Sequence, residues 1–258
     1  MIADAHVHVG WFYCHRHGEL RYFSPRRIAG IMERCGVEAF LISSTSAQAD
    51  GITNEGLLAE SNEVRRVMGR QCYQFLWVSW DNRENLTSLL DSGLYAGIKL
   101  HEKEGGWLES HAMDLFRVLD CVRERGLPVQ FHSGEDPYCG PSALMKIARL
   151  YPEIRFDFAH CRPMDEMASV IAQCENVWTD TAFMSLDDIP YLADCDWKGR
   201  LMFGTDLPVW QAFEEVSLTK RYREYVRAFQ QSGLVDGANV AFKTFVGKDR
   251  KGASSWIT

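Results

Sequence analysis

Residues 2–10 read IADAHVHVG, a short apolar run broken only by Asp4, His6 and His8. Side chains alternate along a β-strand, so residues two apart share a face. A strand over residues 2–8 sends Val7 to one layer and both imidazoles to the other, with their Cα atoms roughly 6.6 Å apart. That spacing lets two rings converge on one ion at the end of the strand. It equally fits two hydrogen-bonded histidines in a core. What the other strands bring to the same place decides between the two.

Seven further β-rich runs follow, at 37–44, 72–79, 96–101, 128–133, 154–160, 177–182 and 201–206. Helical patterns alternate with them. SPRRIAGIMERCG (24–36) opens with a Ser cap and Pro at the first helical position, and it stops at Gly36. HAMDLFRVLDCVRERG (111–126) places Met113, Phe116, Leu119 and Val122 on one face and also ends at Gly. Segments 141–152, 165–175 and 186–195 read as helices too, and a last long one lies within 213–232. Strand alternating with helix predicts a parallel sheet. Eight such units in 258 residues predict an α/β fold of the (β/α)8 TIM-barrel type, a single domain over 1–258. A doubly wound open sheet is the alternative, but no glycine-rich loop follows the first strand.

Polar residues close the apolar strands. His132 ends PVQFHSG, His160 ends IRFDFAHC and Asp206 ends LMFGTDLP. The C-termini of all strands in a parallel barrel meet at one mouth, where active sites are built. His6, His8, His132, His160 and Asp206 are therefore expected in one small region. Burying so many titratable groups without a partner is costly, and a divalent cation removes the cost. Neutral imidazoles with a carboxylate suit zinc, with manganese or iron as alternatives.

Composition narrows the partners. The formal charge of −7 argues against nucleic acid and anionic membranes. Asp4 and His6 interrupt the first apolar residues, so no signal peptide is expected, and no run approaches the roughly 20 residues of a membrane span. A cytoplasmic protein acting on a small molecule is the expectation, with homo-oligomerisation left open. The eight cysteines form no CxxC pair and read as reduced thiols, mostly small core residues. A nucleophilic Cys139 or Cys161 is the minority alternative.

DAHVH, GIKLH, FHSG, FAHC, VWTDTA and FGTDLP, in this order over residues 2 to 208, resemble the amidohydrolase superfamily and most closely its amidohydrolase 2 branch. The resemblance implies a metal-dependent barrel enzyme. By position it implies His6, His8, His132 and Asp206 as ligands of one divalent metal, and His160 as a supporting or catalytic histidine. It also implies a hydrolase of esters, lactones or amides, with Asp206 both touching the metal and taking a proton from the attacking water. Metal-dependent decarboxylation of an aromatic or unsaturated acid is the alternative, and a non-catalytic metal-binding protein on this fold is a third reading. The family's Asn-Ala pair near the C-terminus is not carried over, because Val240 stands at that place.

Lys99 and His101 share a face of the fourth strand. Lys99 is expected to contact an anionic substrate group, with carboxylation to bridge two metals, or a structural ion pair, as alternatives. His101 and Arg162 complete the expected substrate contacts, Arg162 by holding a carboxylate bidentately. Asp180 is expected to orient His160 or a ligand. Asp4 is expected inward, one layer below His6. Strand parity sends Asp157 outward, opposite to His160. The second HxH, in CHRH (14–17), reads as part of a pocket-shaping or contact loop and not as a metal site.

Overall fold

The computed structural model describes residues 2–14, 18–44, 62–63, 66, 71–79, 83–102, 106–134, 137–210 and 217–247. Its strands are β1 (Ala3–Cys14), β2 (Glu19–Phe23), β3 (Ala39–Ser44), β4 (Gln71–Trp77), β5 (Gly97–Leu100), β6 (Val129–Phe131), β7 (Phe156–Phe158), β8 (Val177–Asp180) and β9 (Leu201–Met202). They form one sheet in the order β2-β1-β3-β4-β5-β6-β7-β8-β9. All neighbours from β1 to β9 pair in parallel. The sheet closes on itself. Ala5 N donates to Phe203 O at 2.7 Å, Asp206 N to His6 O at 2.8 Å and His8 N to Leu207 O at 2.7 Å. This is the TIM barrel that the strand-helix alternation predicts. Three features go beyond the sequence reading: the helices Leu86–Asp91 and Val235–Val246, and the run of β1 past the barrel rim to Cys14, where it pairs antiparallel with β2. Between them, His15, Arg16 and His17 of the CHRH segment lie outside the described residues.

Seven helices follow the chain: α1 (Pro25–Glu33), α2 (Leu86–Asp91), α3 (Ala112–Arg125), α4 (Pro141–Leu150), α5 (Met164–Gln173), α6 (Leu218–Gln231) and α7 (Val235–Val246), counted among the described residues. Ser24 caps α1 by accepting from Arg27 N at 3.1 Å, and Gly126 ends α3 with φ 61°. Two helix readings need correction. The buried face of α3 is Leu115, Val118, Leu119 and Val122, while Met113 is 68% exposed, because repeated steps of three drift around a 3.6-residue turn. Segment 186–195 holds a 3₁₀ helix, Ile189–Asp194.

Alternation builds the barrel's layers. Ile98, Leu100, Val129, Phe131, Phe156, Phe158, Val177 and Leu201 join the outer core beneath the helices. Their neighbours face inward. At the lower end Ala3, Ala5, Ala39, Leu41, Phe75, Trp178 and Met202 pack with Ala241, Phe242 and Phe245 of α7, which closes that end. Asn239 of the same helix accepts from Ala3 N at 3.0 Å and ties it to β1. The buried Lys99, Gln130, Asp157 and Asp180 form a polar layer above.

Two parity expectations fail, each for a local reason. The register between β1 and β3 shifts between Asp4 and Val7. Asp4 therefore accepts from Thr205 Oγ1 at 2.7 Å and from Tyr222 of α6 at 2.9 Å, towards the helices and not down the axis. Asp157 is the inward residue of β7, flanked by outward Phe156 and Phe158. The strand stops at Phe158, and His160 and Cys161 take φ of 78° and 48°, so alternation does not carry through to His160.

Candidate metal centre

The site is assembled where strands end. His6 and His8 come from β1. Lys99 comes from β5, His101 follows it, His132 follows β6, His160 follows β7, Asp180 ends β8 and Asp206 follows β9. His160 and Asp206 adopt φ of 78° and 59°. Non-glycine residues rarely sit in this region, and such strain of about 1–3 kcal/mol gathers at functional sites.

Each histidine of β1 has one nitrogen fixed. His6 Nδ1 lies 2.8 Å from Asp180 Oδ2, and His8 Nδ1 lies 3.1 Å from the Ser44 carbonyl. A carboxylate only accepts, so His6 donates from Nδ1; His8 Nδ1 lies between the Ser44 carbonyl and the Ser43 hydroxyl, also at 3.1 Å, and donating to the carbonyl leaves a lone pair on Nε2 in both rings. Those two Nε2 atoms stand 3.1 Å apart. Asp206 Oδ1 lies 3.6 Å from His6 Nε2 and 3.2 Å from His8 Nε2, and it is buried with no hydrogen bond. Three electron pairs thus face one another, with Lys99 Nζ, 3.2 Å from His6 Nε2, as a donor beside them. His6, His8 and Asp206 have the chemistry and mutual reach of a metal triad.

The electrostatics agree. Burial pushes His6 down, and Lys99 adds to this. Burial, then the neighbouring His160 and His101, holds His132 far below the ordinary imidazole range. Burial brings His160 down to about 3, although Asp206 pulls the other way. Burial would raise Asp206 and Asp180, but the imidazoles beside them hold both carboxyls below the usual range. Neutral imidazoles beside ionised carboxylates are the states in which these groups ligate metals.

The other expected residues surround this triad. His160 Nδ1 donates to Ala182 O at 3.1 Å, and its Nε2 meets His132 Nδ1 at 2.9 Å. His132 stacks on His101 with centroids 4.0 Å apart, and His101 on Trp77 at 6.0 Å. The structure thus joins His132 to His160 and His101; the ligand atoms grouped with His6 and His8 are those of Asp206. Lys99 is buried, with Nζ 3.2 Å from His6 Nε2. Arg162 sits over the FHSG turn, its Nε 3.5 Å from where a Cβ on Gly134 would stand. Asp180 does more than expected: besides taking His6 Nδ1–H, its Oδ1 accepts from His160 N at 3.1 Å and Ala182 N at 2.9 Å. Trp77 was missed, because an indole closing an apolar strand reads as core. Cys161 is buried and its thiol pushed up by burial, which leaves little thiolate for a nucleophile.

A closed parallel barrel with an imidazole–carboxylate triad at its C-terminal mouth defines a class of metal-dependent barrel proteins. Residues 3–228 match the model of the Amidohydrolase family, and the chain belongs to that family. No curated protein matches the sequence. Solved structures share the fold. One is a probable 2-pyrone-4,6-dicarboxylic acid hydrolase from Acinetobacter baumannii with citric acid bound (13% identity, TM-score 0.68, 95% of this chain and 99% of that one). Another is dihydroorotase from Saccharomyces cerevisiae in complex with 5-fluoroorotic acid (12%, TM-score 0.69, 99% and 86%). A third is an amidohydrolase from Burkholderia multivorans with bound Zn (12%, TM-score 0.63, 95% and 99%). No helix among the described residues is long and apolar enough to cross a membrane.

Proposed function

We propose that the protein is a metal-dependent hydrolase of a small ester, lactone or amide carrying a carboxylate. The observation that carries this reading is the convergence of His6 Nε2, His8 Nε2 and the unpartnered Asp206 Oδ1. These three residues would hold one divalent cation, with zinc favoured by the nitrogen–oxygen donor set. Bound there, the cation supplies Lewis acidity and brings the pKa of water toward about 7. Asp206 would accept a proton from the attacking water and return it to the leaving group. His132 and His160, linked at 2.9 Å, form an imidazole wall beside the triad. Lys99 and Arg162 supply cationic contacts for the substrate carboxylate, and His101 with Trp77 offers a flat wall beside it.

The test is a screen of zinc-loaded protein against carboxylated lactones, esters and amides, following acid release and carbon dioxide separately. Acid release with no carbon dioxide supports hydrolysis. Carbon dioxide release from carboxylic acids, with no hydrolysis, would replace this reading with a decarboxylase.

A further inference from the structure

Asp157 is a buried carboxylate in the barrel interior that the chemistry above does not use. It sits in the β5–β6–β7 ladder, where Lys99 pairs with Gln130 and Gln130 with Asp157. Gln130 Nε2 donates to Asp157 Oδ2 at 2.8 Å and to Ala5 O at 2.9 Å, and Asp180 Oδ2 lies 3.4 Å away. That same Asp180 oxygen takes the Nδ1–H of His6 at 2.8 Å. A carboxamide has two hydrogens for these three acceptors, so one is shared with Asp180, the longest of the three contacts. An unbroken chain of contacts runs from Asp157 through Gln130 and Asp180 to His6.

We propose that Asp157 is a positioning residue, which through Gln130 and Asp180 holds the His6 ring in the Nδ1–H tautomer and aims its Nε2 at the metal. Asp157 Oδ1 and Gln130 Oε1 are both buried and receive no hydrogen bond. Two orphan acceptors on touching side chains point to a missing proton, and one on Asp157 makes Oδ1 a donor. Burial, then the charge of Asp180, pushes the Asp157 carboxyl well above the usual carboxylate range, in keeping with that proton. Partners that fix the far nitrogen of a ligating histidine commonly change metal affinity about 10–100-fold when removed.

The inference rests on His6 being a ligand, and the test separates the two claims. Zinc Kd is measured for the wild type, Asp157→Asn, Asp157→Ala and His6→Ala. The His6 tautomer is read by nitrogen-15 NMR of the chelated, metal-free protein. Asp157→Asn, which keeps an acceptor and a donor in place, should retain the wild-type Kd and tautomer. Asp157→Ala should weaken zinc binding about tenfold and erode the Nδ1–H tautomer. If Asp157→Ala does not fold, Gln130→Met breaks the same link and should give the same two changes. Wild-type Kd and tautomer in the linkage-breaking variant would overturn the proposal, as would Asp157→Asn behaving like Asp157→Ala. If His6→Ala binds zinc like the wild type, the metal reading itself fails, whatever the tautomer shows.

Discussion

At the scale of single residues, the site depends on where protons are absent. His6 and His8 donate from Nδ1 to fixed acceptors, so the lone pairs on Nε2 and the bare Asp206 Oδ1 face a common point. The proposed function gives Asp206 two separable duties there, as ligand and as proton acceptor. Asp206→Asn is nearly isosteric and should keep the fold. Its amide cannot take a proton from water, so turnover should fall at least about a hundredfold, and saturating zinc should not restore it. Kinetics on any accepted substrate check this, and near-normal turnover with saturating zinc would reduce Asp206 to a ligand. The residue types were legible in the sequence because each closes an apolar strand. Their final orientation was not. His160 and Asp206 reach the centre through positive φ, a conformation that a non-glycine residue does not announce.

At the scale of elements, strand spacing alone located the eight strands of the parallel barrel, since alternating strand and helix leave few topologies. Parity holds within the regular strands and fails past a strand end at His160 and at the register shift inside β1. Lys99, Gln130, Asp157 and Asp180 all face inward by simple alternation. Alternation counted back from His160 sends Asp157 outward only because it crosses the turn after Phe158. The misplacement of Asp4 came from a register shift inside β1, for which HVH gives no cue. The ELRYF stretch of the β2 arm is short and half polar, so nothing in it marks a strand. Close approach between strands makes one glycine necessary. A Cβ on Gly97 of β5 would stand 2.7 Å from Pro128 O and 2.6 Å from the Phe75 ring. Gly97→Ala should therefore destabilise by about 1–3 kcal/mol, through strand displacement that a denaturant titration would register. An unchanged midpoint would mean that β5 and its neighbours yield more easily than their packing implies.

At the scale of the whole molecule, the barrel is sealed at one end and carries the histidine cluster at the other. The C-terminal helix α7 places Phe242 and Phe245 against the lower interior residues, under the polar layer that supports the histidines. Phe245 is fully buried, so Phe245→Ala should cost about 3–5 kcal/mol and lower Tm, while zinc Kd stays near the wild-type value because the ligands sit at the opposite mouth. A large loss of zinc affinity in a folded Phe245→Ala protein would show that the two ends are coupled. The central claim is that His6, His8 and Asp206 share one cation. Anomalous diffraction at the zinc edge, from crystals grown with zinc, tests it most directly. A single peak per chain is expected about 2.0–2.2 Å from His6 Nε2, His8 Nε2 and an Asp206 carboxylate oxygen. A peak away from these atoms, or no peak with zinc in excess, would contradict it.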